Sequence, residues 1–328
     1  MRLKIDMEPR SWPVREVLTI ARGSMTEQPT LHLTLTREDG VKGHGEACGI
    51  PYKGETPASM AAQIEAVRAI VEHGIGRGAA MRILPSGGAR MAIDAALWDL
   101  EAKAGAGDPF ARNNLRPFPV KSAYTIGIRD LDSYEQTARA FAAFPLLKVK
   151  VADSDPVSAI RAVRKGAPDA ALIVDANQAW SIEQLKRFAT ELVPLGVALL
   201  EQPIPVGAEA GLDGWTSPIP LCADELVDGP QDLDRVVGRF DVINIKLDKA
   251  GGLTSAMVLA DAAEARGLKL MVGCMLGSSL SMAPAMVLAQ RCSFVDLDGP
   301  MLHATDVPDG FEYVNGVVAK PYKPSLWG

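Results

Sequence analysis

The pattern of apolar and polar positions changes character near residue 115. Before that point, Leu31 to Thr36 (LHLTLT) alternates with the period of two that a half-buried strand requires, and Glu38-Asp39-Gly40 is a turn signal. An extended pattern resumes at Val41, so a hairpin is expected. Met91 to Ala104 (MAIDAALWDLEAKA) holds strong helix formers and no breaker, with Ile93, Leu97 and Leu100 spaced to make one apolar face. Gly105 to Pro119 is rich in Gly, Pro and Asn and reads as the boundary between a mixed α+β unit and the remainder of the chain.

Beyond the boundary, short apolar runs alternate with helical stretches. The runs are KSAYTIGI from Lys121, LLKVKV from Leu146, ALIVDA from Ala171, VALLEQ from Val197, IPLCAD from Ile219, DVINIKL from Asp241, LKLMVG from Leu268 and SFVDLD from Ser293. Helix ends are legible between them. Asp155 and Pro156 suit the N-cap and first position of a helix stopped by Gly166, and Ser181 with Gln184 reads as a capping box. Units of about 25 residues are the size of βα units that close into a parallel barrel. A flat doubly wound sheet is the alternative. Against it, no GxGxxG follows the first strand, no P-loop occurs, and eight equal units suit a closed ring.

The length of 328 residues accommodates one large α/β barrel with an appendage, or two ordinary domains. Apolar residues at 48% and charged residues at 23% exclude a disordered or fibrous chain. With 34 Lys+Arg against 40 Asp+Glu, the net charge of -6 argues against nucleic acid or an anionic membrane and for a small ligand. Cys48, Cys222, Cys274 and Cys292 lie far apart with no CxxC, so neither a zinc site nor a disulfide framework is expected and a reducing cytosol fits. The segment MRLKIDMEPR lacks the apolar stretch of a signal peptide, which makes a cytoplasmic location the expectation. Leu270 to Gln290 is uncharged over a length that could span a bilayer, but Gly273, Gly277, Pro284 and its serines read as a buried strand, loop and helix.

A βα barrel builds its active site at the C-terminal ends of the strands, so the polar residues ending these runs carry the chemistry. Asp175, Glu201 and Asp224 end three successive runs and would converge at the barrel mouth. Three uncompensated carboxylates would repel one another and raise their pKa values unless a cation sat among them. Oxygen donors without His or Cys select a hard ion, Mg2+ rather than Ca2+ for a site open to a substrate carboxylate. A salt-bridge network with neighbouring lysines is the other use of such acids.

Lys148 and Lys150 stand two apart on one strand and share a face, and Lys246 ends a strand four positions further round the ring. Repulsion between the paired lysines is expected to lower the pKa of one toward that of a working base. Lysines on two sides of a metal-bound carboxylate can remove a proton α to it on one face and return one on the other.

The strings KVK at 148–150, DAN at 175–177, EQP at 201–203, ADE at 223–225 and NIKLDKAGG at 244–252 resemble the muconate-lactonizing subgroup of the enolase superfamily. AIDAALWDLEAK, from Ala92, is similar to the superfamily's cap-domain helix. The resemblance implies a modified (β/α)7β TIM-type barrel with an α+β capping domain formed by both chain termini. Expected divisions are 1–117 for the cap, 118–300 for the barrel and 301–328 for a segment returning to the cap. The same resemblance assigns Asp175, Glu201 and Asp224 to one Mg2+, Lys150 and Lys246 to opposed acid/base roles, and Lys148 to enolate stabilisation and support of Lys150.

The subgroup holds cycloisomerases, o-succinylbenzoate synthases, N-acylamino acid racemases and dipeptide epimerases, so the scaffold alone does not name a substrate. DLDGP, from Asp296, is similar to the DxD motif of dipeptide epimerases, whose carboxylates receive the substrate's α-ammonium group. Asp296 and Asp298 share one face, and an ammonium would relieve their repulsion; a helix-capping turn is the competing reading. IARGSMTE, from Ile20, resembles the specificity loop of L-Ala-D/L-Glu epimerases, with Arg22 placed for a side-chain carboxylate. Tyr52, in the second cap loop GIPYKGET, and Thr125, on the first barrel run, complete the expected substrate contacts. Gly277 stands where many relatives carry a Glu.

His32, His44, His73 and His303 lie outside every strand end, and Ser278 and Ser279 lack a partner His, so neither histidine ligation nor a serine nucleophile is expected. The sequence reading is thus a Mg2+-dependent epimerase of L-Ala-L-Glu or a related dipeptide, cytoplasmic and a monomer or homo-oligomer, with no nucleic acid or membrane partner. By resemblance it would recycle cell-wall peptides. The alternatives are another activity on the same scaffold or a non-catalytic metal-binding protein.

Overall fold

The computed structural model describes residues 2–20 and 23–328. The expected hairpin is the end of a larger antiparallel sheet of β1 (Leu3–Ile20), β2 (Gly23–Arg37) and β3 (Lys42–Ala47), in that order. Leu31, Leu33 and Leu35 of β2 are fully buried, as the period of two requires. The long β1 had no clean alternation, because from Met7 to Val17 most of its residues are partly or fully exposed.

The helix read from Met91 spans Gly88–Glu101, and its burial differs from the expectation. All residues from Gly88 to Leu100 are buried, not one face only. The sheet covers one side, the barrel helix Leu253–Glu264 touches another, and the chain end closes a third. There Trp327 Nε1 donates to Ala95 O at 2.9 Å and the Gly328 N–H to Asp99 Oδ1 at 2.8 Å. A helix enclosed on all sides cannot be told from an amphipathic one when its polar residues, here Arg90, Asp94 and Asp99, serve as interface contacts.

The first expected barrel run divides. Its start, β4 (Val120–Lys121), joins a small antiparallel sheet with β13 (Tyr313–Val314) and β14 (Val317–Val318), while β5 (Tyr124–Ile126) enters the barrel. The parallel barrel then runs through β6 (Leu146–Lys150), β7 (Ala171–Asp175), β8 (Val197–Glu201), β9 (Leu221–Ala223), β10 (Val242–Lys246), β11 (Lys269–Gly273) and β12 (Phe294–Asp296) in sequence order. The ring closes where the Ala123 N–H donates to Val295 O at 2.8 Å and the Leu297 N–H to Ser122 Oγ at 2.9 Å. The ring excludes the flat doubly wound sheet.

Helices follow the expected caps. Asp155 accepts from the Ser158 N–H before Pro156–Gly166, and Ser181 and Gln184 form the capping box of Ile182–Leu192; each such cap contributes about 1 kcal/mol. The uncharged stretch resolves into β11 and the buried helix Ser279–Ala289. Among the described residues, no helix is long and apolar enough to cross a membrane.

The barrel interior is layered. Ala123, Leu146, Ile173, Leu199, Cys222, Val242 and Met271 form an apolar plug. Two residues further along these strands stand Thr125, Lys148, Asp175, Glu201, Asp224, Asn244 and Gly273. Side chains two apart on a strand point the same way, so the polar ring sits directly above the plug, at the C-terminal mouth.

Candidate active site

The polar ring is a network of buried charges. Lys148 Nζ lies 2.9 Å from Glu201, 2.8 Å from Asp296 Oδ2 and 3.1 Å from Asp175 Oδ2. Lys150 Nζ donates to Asp175 Oδ2 at 2.6 Å and to Asn177 Oδ1 at 3.0 Å. Across the ring, Lys246 Nζ donates to Asp224 Oδ2 at 2.6 Å. The expected residues on β6, β7, β8, β9, β10 and β12 therefore do converge.

Three residues without an assigned role complete the network. Lys249 Nζ donates to Asp224 Oδ1 at 2.7 Å, Asn244 Nδ2 to Glu201 Oε1 at 2.9 Å, and the Asp224 N–H to Gln202 Oε1 at 2.8 Å. All three lie inside the strings EQP and NIKLDKAGG, so their positions were legible while their partners were not.

Burial and charge act against each other here. Burial would raise Asp175 and Asp224, but Lys150 and Lys148 hold the first, and Lys246, Lys249 and Lys148 the second, below the usual carboxylate range. Glu201 goes the other way, raised by burial and by Asp175. The expected rise was that of uncompensated carboxylates; with lysine ammonium groups among them, only Glu201 of the three is raised. Of the two paired lysines, one of which was expected to be lowered, Lys148 is raised. Burial disfavours its ammonium, yet Asp296, Glu201, Asp175 and Asp224 together hold its pKa well above normal. Lys246 is likewise raised: burial disfavours its ammonium, but Asp224 together with Glu201 and Tyr52 more than offsets it.

The donor set suits a hard divalent cation in kind. Asp175, Glu201 and Asp224 offer oxygen donors from consecutive strands, each at most 1% exposed, with no nitrogen or sulfur ligand among them. In this structure lysine ammonium groups compensate their charge, and among the described residues no three acidic, His or Cys side chains are gathered at ligand spacing.

Above the ring lies a cavity of about 360 Å³. Lys148, Lys150, Lys246, Asp296, Asp298 and Thr125 reach it, with Tyr52 in its wall. Apolar residues near the end of the β1–β2 hairpin, Leu18, Ile20 and Met25, line it together with Met275 and Leu276. Arg22 lies outside the described residues. Asp298 begins the short helix Gly299–Leu302, but its side chain makes no cap bond. Its Oδ2 accepts the Thr125 N–H at 2.7 Å instead, which sets the capping reading aside. Asp296 Oδ1 is buried without a hydrogen-bond partner among the described residues. The histidines stay clear of the cavity lining: His32 stacks on His44 and His303 on Trp12.

The cap is keyed to the mouth by close contacts. Gly251 and Gly252, which end NIKLDKAGG, have φ of 78° and 108°. A Cβ on Gly252 would stand 2.5 Å from Asp94 Cβ, and one on Gly251 would collide with the Arg90 guanidinium. Arg90 Nη2 donates to Ala250 O at 2.7 Å, and Asp94 Oδ2 accepts the Thr254 N–H at 3.0 Å.

Residues 132–326 match the enolase C-terminal domain-like family, and residues 3–109 match the mandelate racemase / muconate lactonizing enzyme N-terminal domain. The chain belongs to the enolase superfamily. Within that superfamily it is 40% identical over 309 residues to the L-Ala-D/L-Glu epimerase of Escherichia coli (strain K12), covering 93% of this chain and 96% of that protein. A solved enolase family member from Agrobacterium tumefaciens, described as having homology to dipeptide epimerases and holding sodium and L-Ala-L-Glu, superposes with a TM-score of 0.96 at 39% identity, covering 99% of this chain and 100% of that one. A dipeptide epimerase from Methylococcus capsulatus, complexed with Mg and L-Arg-D-Lys, gives 0.89 at 29% identity over 100% and 99%. This enolase-superfamily chain is accordingly an enzyme, an isomerase of the racemase and epimerase class.

Proposed function

We propose that the chain is a Mg2+-dependent dipeptide epimerase that inverts the α-carbon of the C-terminal residue, with L-Ala-L-Glu as its leading substrate. The observation that carries this reading is the placement of Lys150 and Lys246 on strands four apart in an eight-stranded ring, both lining the cavity that Asp296 and Asp298 also reach. One lysine takes the α-proton from one face, and the other delivers a proton to the opposite face, which inverts the centre. Lys148, between the acids and the cavity, holds positive charge where negative charge develops on the substrate carboxylate. Asp296 and Asp298 receive the dipeptide's ammonium group, which orients the α-carbon between the lysines. Asp175, Glu201 and Asp224 would hold the metal ion. When bound, it supplies positive charge that makes the α-proton more acidic.

The test is incubation of the protein with Mg2+ and L-Ala-L-Glu, other dipeptides, o-succinylbenzoate precursors or N-acetylglutamate in D2O, read by mass spectrometry. A one-unit gain with L-Ala-L-Glu is expected. Exchange confined to N-acetylglutamate, turnover only of the lyase substrate, or no gain with any compound would each reject the proposal.

A further inference from the structure

Asp248 is 2% exposed and follows Lys246 by two residues, in the short helical turn Leu247–Ala250. Its Oδ1 accepts two backbone hydrogen bonds from the cap, the Cys48 N–H at 2.9 Å and the Gly49 N–H at 2.8 Å. Those amides are the root of the second cap loop, whose Pro51 and Tyr52 wall the cavity. Beyond the root, Glu55 Oε2 closes the loop on itself by accepting the Ile50 N–H at 2.8 Å and ties it to the cap helix by accepting the Gly88 N–H at 3.1 Å. Lys53, near its tip, pairs with Asp228 of the barrel, a half-exposed contact of the kind that contributes little. At the root, by contrast, the link between loop and barrel is buried.

The turn that carries Asp248 is itself fixed. Gly251 and Gly252 N–H groups both donate to Leu247 O at 2.8 Å, and Arg90 holds the carbonyls of Ala250 and Gly251. Two residues on one side and three on the other thus join Lys246 to Tyr52 through a single carboxylate oxygen. The two side chains are close enough that each influences the other's charge.

We propose that Asp248 is a positioning residue that sets the cap loop against the strand end bearing Lys246, and so fixes the cavity wall that closes over substrate. It does not touch the reacting atoms. Its requirement is for an oxygen acceptor, since one oxygen takes both bonds, and not for charge. The inference rests on the cavity being the dipeptide site.

Asp248→Leu keeps the branched shape at a somewhat larger volume and removes the acceptor, whereas Asp248→Asn keeps an oxygen. With Mg2+ saturating, Asp248→Leu is expected to raise KM for L-Ala-L-Glu about tenfold or more while kcat stays within about threefold. Asp248→Asn should return KM to within about threefold of the parent. Unchanged KM in the Leu variant, or an Asn variant as impaired as Leu, would overturn the proposal. Hydrogen exchange on the unsubstituted protein decides it even where the Leu variant does not fold. The Cys48 and Gly49 amides should be as protected as those of β3, and fast exchange at both overturns it. That measurement needs no substrate, so it separates failure of this inference from failure of the functional reading.

Discussion

Lys249 Nζ stands 2.7 Å from Asp224 Oδ1, and Lys246 Nζ stands 2.6 Å from the other oxygen of the same carboxylate. Asp224 is thus held between two buried ammonium groups, one facing the cavity and one outside its lining. Removing one partner of a buried pair leaves an uncompensated charge, which costs about 3–5 kcal/mol. With Lys246 still on the other oxygen, Lys249→Met should lower the unfolding free energy by less than that, about 1–3 kcal/mol, in chelator. Mg2+ should restore part of that loss, because a bound cation compensates the same carboxylate. Calorimetric unfolding with and without Mg2+ checks both; a larger metal stabilisation in the parent than in the variant contradicts the account.

The opposed lysines predict separable half-reactions. Lys150→Ala and Lys246→Ala should each abolish epimerisation, a loss of about a thousandfold or more. Exchange of the α-proton should survive for one stereoisomer in each variant, because the remaining lysine still serves its own face. Deuterium incorporation followed separately from L-Ala-L-Glu and L-Ala-D-Glu tests this. Full epimerisation in either variant would exclude the two-base mechanism.

At the eighth strand, Asp296 gives Oδ2 to Lys148 and keeps Oδ1 buried without a partner among the described residues. Asp298 gives Oδ2 to the Thr125 N–H, and the orphaned oxygen of Asp296 predicts unequal effects. A charge-assisted bond to the substrate ammonium contributes about 1.5–3 kcal/mol, so Asp296→Asn should lower kcat/KM for a free dipeptide by about tenfold to a hundredfold. Asp298→Asn should cost less and should not matter for an N-acetylated dipeptide, for which Asp296→Asn keeps only the part of its effect that acts through Lys148. Kinetics with both substrates distinguish this from a general disturbance of the site.

Gly252→Ala tests the keying of cap to barrel. Its φ of 108° and the 2.5 Å approach to Asp94 Cβ leave no room for a methyl group. Positive φ and overpacking together should destabilise the protein by about 2–4 kcal/mol in urea unfolding. A loss below 1 kcal/mol, roughly the helix-propensity scale, would show that the interface yields.

His32 sets an acid limit. Burial, with help from Arg10 and His44, lowers its pKa from 6.5 to about 4 in the folded protein. The unfolded chain therefore binds the proton more readily between those values, and stability falls as the pH drops from 6.5 toward 4. Denaturant titrations across that window should show a shallower decline for His32→Gln than for the parent.

Much of the barrel was legible because strand periodicity is local. An apolar residue followed two positions later by a charged one, as in Leu199 and Glu201 or Leu146 and Lys148, already states that a plug lies under a polar ring. The metal-type acids and the lysines were readable for the same reason, since the end of a strand is a sequence position. Mispriced were the charges, because a lysine's proton affinity depends on all its neighbours. Repulsion between Lys148 and Lys150, two apart on one strand, suggested that one of them is lowered, whereas four carboxylates from other strands raise Lys148.

The place of each strand along the chain, the helix caps and the residue types at the mouth are properties of the sequence itself, written in patterns among residues a few positions apart. Tertiary structure alone decided which glycine faces Asp94, which oxygen of Asp224 each lysine takes, and that Asp248 holds the loop of Tyr52. Those pairings join residues that are 158, 22, 25 and 199 positions apart. Local periodicity cannot encode a meeting over such distances; it exists only once the ring has closed and the cap has settled on its mouth.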